Sequence, residues 1–189
     1  MNFDFKRKFR GTISVIGTSE IDSATEKVTV ELGRLLAKNH FAISCGGLSG
    51  VMEAVCKGAK QEGGFTIGII PFEDKNLANK YVDVVIPVPF SQARNIIVVL
   101  SGDACVAIEG KAGTLSEICF AWIYGKPIIA LTGGVGGIKG WSSKMAGKKI
   151  DDRRTDTIYG AKTAQEVVEK LNNIFKSRLN ITYDMPTEF

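Results

Sequence analysis

The chain has 189 residues but one histidine, His40, and four cysteines. A single histidine leaves Ser-His-Asp catalysis and histidine-based zinc binding without material, since His40 sits at a helix-to-strand junction with no partner motif. No metal site is expected. Cys45, Cys56, Cys105 and Cys119 form no CxxC pair. Cys105 and Cys119 fall in apolar sequence and read as small buried hydrophobes of a reducing compartment. No apolar run reaches the roughly 18–20 residues of a membrane span. The N-terminus carries charges where a signal peptide has its apolar core, so a cytoplasmic location is the expectation. Two nucleotide signatures are also missing. "GTSEID" after the first strand is not a GxGxxG, which argues against a hydride-transferring dinucleotide enzyme, and no GxxxxGK[ST] supports a Walker-type NTPase.

What is present describes an ordinary soluble globular chain, with 44% hydrophobic and 23% charged residues. The length suits one domain with a sizeable core. The net charge of +4 is spread along the sequence. Its densest basic run, "FKRKFR" at residues 5–10, reads as a solvated N-terminal extension, so neither nucleic acid nor membrane is an expected partner.

Six short apolar runs alternate with helical stretches: "TISVIG", "FAISC", "FTIGII", "VDVVIPV", "ACVAI" and "PIIAL". Runs without alternation, such as Ile67–Ile70, fit strands covered on both faces. The pattern predicts an α/β fold: a Rossmann-like, doubly wound parallel sheet in a three-layer α/β/α single domain. That domain is expected over residues 11–178, after a basic extension at 1–10 and before a poorly ordered tail at 179–189. "LTGGVGGIKGW" reads as a mobile loop and "SSKMAGKKIDDRRTD" as irregular. Ser23 or Thr18 fits the cap of the first helix, and Thr163 with Glu166 fits a capping box on the last.

In a parallel sheet the turns after the strands share one edge, where helix N-termini present N–H groups to ligands. Three glycine turns fall there: Gly17-Thr18-Ser19, Cys45–Gly50 and Glu109–Thr114. Glycines admit close backbone approach, while hydroxyls and a lysine donate to an anion. Together they point to a phosphorylated small molecule. Thr18 and Ser19 fit caps as well as ligands, Lys111 fits a phosphate contact or an exposed turn, and Met52 and Trp122 fit core positions. Trp122 also fits a subunit interface.

The segments "GGLSGVMEAVCKGA" (46–59), "ARN" (93–95) and "GKAGTLSE" (110–117) resemble the LOG family of cytokinin riboside 5′-monophosphate phosphoribohydrolases, long mislabelled lysine decarboxylases. They are most similar to a branch that includes molybdenum cofactor carrier proteins and is related to DprA-like Rossmann domains. The resemblance implies a catalytic pair, Arg94 and Glu117. It also implies a phosphate or nucleotide site at Gly46, Gly47, Gly50, Met52, Asn95, Gly110, Lys111, Ala112, Gly113 and Thr114. Three positions depart from the hydrolase pattern: Glu109 replaces proline, Lys111 replaces glycine, and Asn95 replaces lysine.

Two functions follow from the resemblance. One is hydrolysis of a nucleoside 5′-monophosphate to base and ribose 5-phosphate. The other is a non-catalytic carrier or sensor of molybdenum cofactor or a nucleotide. Neither needs a resident cofactor, and the family implies a homodimer or larger homo-oligomer.

Overall fold

In a computed structural model, described over residues 8–133 and 137–179, all six expected strands form. They are β1 Gly11–Gly17, β2 Phe41–Cys45, β3 Thr66–Ile70, β4 Val84–Pro87, β5 Ala104–Ile108 and β6 Ile128–Leu131. A seventh, β7 Tyr159–Ala161, joins them. The helices are α1 Ser23–Lys38, α2 Val51–Gln61, α3 Asn95–Leu100, α4 Ala112–Ile123, α5 Trp141–Met145 and α6 Ala164–Leu179.

Every strand pair is parallel, in the order β4-β3-β2-β1-β5-β6-β7. The strands β2, β5 and β6 are buried at every position, as a sheet covered on both faces requires. On one face, Leu32 and Leu36 of α1, Val55 of α2, and Val167 and Leu171 of α6 pack on Ile13, Val15, Ile43 and Val106. On the other, Val98 and Val99 of α3, with Ile118 and Trp122 of α4, pack on Ile16, Cys105, Ala107 and Ile128. The fold is thus the expected three-layer, doubly wound single domain.

The topology fixes where a ligand can sit. From β1 the chain builds β2, β3 and β4 to one side, then crosses back to place β5 on the other. The carboxyl ends of β1 and β5 lie level, with Gly17 opposite Ile108. Between them opens the crevice at the switch point that nucleotide-binding sheets use.

Several local expectations are corrected. The cap of α1 is Asp22, whose carboxylate accepts from the Thr25 amide at 2.7 Å, so neither Ser23 nor Thr18 serves. Thr163 does cap α6, accepting from the Glu166 amide at 3.1 Å, but the Glu166 carboxylate reaches back to the Lys162 amide, one residue before the capping-box position.

Trp122 is 1% exposed and belongs to the core; its indole N–H donates to Asp151 at 2.8 Å and Arg154 stacks on its ring, leaving no surface for a subunit contact. Cys105 is buried, whereas Cys119 is only half-buried. At the end of the basic run the charged side chains of Lys8 and Arg10 are exposed while Phe9 is buried against Phe65, and Arg10 stacks on Phe41 and donates to Asn172.

The stretch read as irregular holds α5, and β7 follows it. Residues 1–7, the centre of the expected mobile loop at 134–136, and the tail from 180 lie outside the described residues. No described helix is long and apolar enough to cross a membrane.

Candidate functional site

The turn leaving β5 bends sharply because two consecutive residues take positive φ, Glu109 at 54° and Gly110 at 104°. Glutamate pays strain there that glycine does not. The turn is buttressed from outside: the amides of Trp141 and Ser142, at the start of α5, donate to the carbonyls of Gly110 and Glu109 at 3.2 and 2.9 Å. This support was invisible in the sequence, because α5 sat in a polar stretch without helical periodicity. The Glu109 side chain turns away to accept from the Thr25 hydroxyl at 2.7 Å. Its charge is spent on tying α1 to β5.

After the turn, α4 begins with Lys111 as its N-cap, and that residue supplies no side-chain cap bond. The first-turn N–H groups of α4 therefore lack the partner a serine or aspartate would give, and they open onto the crevice. The Lys111 ammonium instead lies 3.4 Å from Glu20 across the mouth, both side chains being largely exposed. The second wall is the loop after β1, where Thr18 accepts from the Glu20 amide and its carbonyl accepts from Val51. The third wall is Gly46 with Met52 behind it. A Cβ on Gly46 would lie 2.6 and 2.7 Å from the two terminal nitrogens of Arg94 and 2.6 Å from the Met52 sulfur, so only glycine admits the guanidinium.

The crevice between these walls has a volume of about 290 Å³. Of the residues singled out in the sequence, Gly17, Thr18, Ser19, Gly46, Met52 and Arg94 line it, as do Asn95, Lys111, Gly113, Thr114 and Glu117. Four do not. Gly47 turns beneath the sheet edge at φ 72° and bonds Asn79, and Gly50 is the N-cap of α2. Gly110 forms the turn, and Ala112 is the exposed first residue of α4.

Sequence reasoning missed Gln92 and Glu20, which also line the crevice. Nothing but their adjacency to motif residues could have marked them. A wider recess of about 430 Å³ adjoins, sharing Ser19 and Glu20; Lys57 there is paired with Glu26, and the remaining Glu20 and Glu53 disfavour an anion.

Arg94 is the last residue of a 3₁₀ turn, Ser91–Arg94, and the N-cap of α3. It is 8% exposed, and Glu117 is 6% exposed. Their closest atoms, Nη1 and Oε1, are 4.0 Å apart. Burial pushes the Glu117 carboxyl up to about 8, with Arg94 only partly opposing the shift. Burial also lowers the Arg94 pKa, against the pull of Glu117 and Cys45, but a guanidinium stays charged. Among the described residues, Arg94 Nε is the one buried side-chain nitrogen or oxygen with no hydrogen-bond partner. A fixed cation, an acid whose pKa burial raises to about 8 and an uncapped helix end therefore meet in one crevice. The set can hold an anion and move one proton.

The model of the SLOG cluster4 family matches residues 10–168. An uncharacterized protein of Archaeoglobus fulgidus is 41% identical over 119 residues, covering 63% of this chain and 78% of that one. A cytokinin riboside 5′-monophosphate phosphoribohydrolase of Mycobacterium marinum is 28% identical over 150 residues, covering 74% of this chain and 75% of that one. Among solved structures, the molybdenum cofactor binding protein of the phototrophic bacterium Rippkaea orientalis superposes with a TM-score of 0.75 at 30% identity, covering 86% of this chain and 96% of that one.

Proposed function

The chain belongs to the SLOG cluster4 family, and from that premise we propose that its crevice binds a nucleoside 5′-monophosphate and hydrolyses the N-glycosidic bond. The products are the free base and ribose 5-phosphate. The observation that carries this reading is the buried Arg94–Glu117 pair, 4.0 Å apart, at the switch point of the sheet. Similarity to the phosphoribohydrolase of Mycobacterium marinum supports it.

The phosphate is held by the open N-terminus of α4, around Gly113 and Thr114, with Arg94 as its cation. Cleavage of the bond between C1′ and the base nitrogen leaves positive charge on the ribose and negative charge on the base. Glu117, protonated at neutral pH because it is buried, gives its proton to the departing base. The carboxylate so formed is stabilised by Arg94 and faces the ribosyl cation. Water adds to C1′ and returns a proton to Glu117, which completes the cycle. One carboxyl serves both steps, and no metal enters the scheme.

A second reading is a non-catalytic carrier of a phosphorylated pterin such as molybdenum cofactor. It is favoured by the 30% identity to the molybdenum cofactor binding protein of Rippkaea orientalis. The same α4 N-terminus and Arg94 fit that ligand's phosphate.

Association of two copies belongs to the same proposal. Ile97 and Leu100 of α3, with Ile123 and Tyr124 at the end of α4, leave large apolar side chains 39–50% exposed on neighbouring helices.

Incubation with AMP, GMP, CMP and UMP, followed by chromatography for free base and ribose 5-phosphate, tests the hydrolase. Release from at least one is expected. Release from none, together with tight binding of a phosphorylated pterin, leaves the carrier reading in its place.

A further inference from the structure

Asn95 directly follows Arg94 in the chain, and Ser116 directly precedes Glu117. These two neighbours are bonded to each other. The Asn95 side-chain amide donates to the Ser116 hydroxyl at 3.0 Å, with longer bonds to Gln92 Oε1 at 3.3 Å and to the Gly113 carbonyl at 3.4 Å. The Ser116 hydroxyl in turn donates to the Gly113 carbonyl at 2.6 Å. Asn95 is 2% exposed, so its amide is committed to these partners in place of water. We propose that Asn95 and Ser116 form a positioning brace that sets the gap between the Arg94 guanidinium and the Glu117 carboxyl.

This inference rests on the reading of Arg94 as phosphate anchor and Glu117 as proton donor. The two side chains come from separate elements, the 3₁₀ turn and α4, with all of β5 between them in sequence. Lys111 adds no cap to hold the first turn of α4 in place. The brace is the cross-element link closest in sequence to both groups. An error of about 1 Å in such a pair costs on the order of 10²-fold in rate. Breaking the link also loosens the first turn of α4 and admits water to Glu117. The charged group beside that carboxyl is Arg94 from the 3₁₀ turn, and the buried thiols Cys45 of β2 and Cys105 of β5 lie within its electrostatic reach.

Asn95→Ala, Ser116→Ala and Ser116→Thr test the proposal, each compared with wild type in two ways. The first is kcat and KM for the monophosphate that wild type cleaves. The second is titration of the Glu117 side-chain carboxyl carbon by NMR. Both alanine variants are expected to lower kcat roughly 10- to 100-fold with KM within about threefold, as loss of positioning without loss of binding requires. They also move the Glu117 midpoint down from about 8, toward the ordinary carboxylate range. Ser116→Thr keeps the hydroxyl and retains both properties.

An unchanged kcat and midpoint in a folded Ser116→Ala or Asn95→Ala protein overturns the brace, and so does equal loss in Ser116→Thr. If wild type cleaves nothing, the hydrolase reading fails, while the NMR titration still decides the brace.

Discussion

The Arg94 and Glu117 side chains approach to 4.0 Å, too far for a hydrogen bond, and both are almost wholly buried. A pair that close but unbonded leaves each group under-satisfied. Arg94 keeps a buried Nε without a partner, and Glu117 keeps its proton to a pH near 8. Such an arrangement costs stability in the free protein, and under the proposed function that cost is offset when an anion and a developing cation enter the crevice.

The first consequence is a pH-dependent stability difference. The folded-state pKa of Glu117 is raised, so the folded protein holds this proton more tightly than the unfolded chain does. The cost of ionising the buried carboxyl therefore appears as pH rises above about 4.5 and is complete once pH passes about 8. Glu117→Gln mimics the protonated form at every pH. The melting temperature of the variant minus that of wild type should grow from pH 5 to pH 9. A constant difference across that range shows that Glu117 titrates normally.

Gly46 is where a single methyl should separate binding from folding. The three atoms nearest a Cβ there are the Arg94 terminal nitrogens and the Met52 sulfur, the far ends of flexible side chains. Gly46→Ala should fold with a melting temperature near that of wild type. It should bind AMP at least about tenfold more weakly by calorimetry, because the guanidinium is displaced from a charge-assisted contact. Undiminished affinity places the phosphate elsewhere.

The exposed apolar face of α3 and α4 predicts association. Leu100 is 44% exposed and Ile97 39%. Leu100→Glu should convert a dimer or larger assembly into monomer when the mass is read by light scattering after size exclusion. A monomeric wild type ends this part of the account.

Most of the fold was legible because it rests on local patterns. Unbroken apolar runs such as Ile128–Leu131 occur where both faces of a strand are covered, and glycine turns punctuate them. The strand β7 was not legible, being three residues long, at the sheet edge, and containing a glycine. The helix α5 escaped for a similar reason, since five residues give too few turns for a periodicity to show.

The three glycine turns marked the edge of the sheet at which the crevice opens. The sequence could not show which side chains turn inward. The Glu109 carboxylate faces Thr25, and the Lys111 ammonium lies beside exposed Glu20. Asn95 lines the crevice, and its side-chain amide is bonded to Ser116. Direction and burial of individual side chains depend on tertiary contacts made by α1, α3 and α5, which no local pattern encodes.

The most direct test is a single-turnover reaction of Glu117→Gln with AMP, protein in excess, beside wild type. AMP is chosen as the simplest nucleoside 5′-monophosphate; another monophosphate replaces it if wild type prefers one. The account predicts that the variant binds the nucleotide within about threefold of wild type but releases base at least about 10²-fold more slowly, the usual contribution of a proton donor. Base release by the variant at the wild-type rate contradicts it.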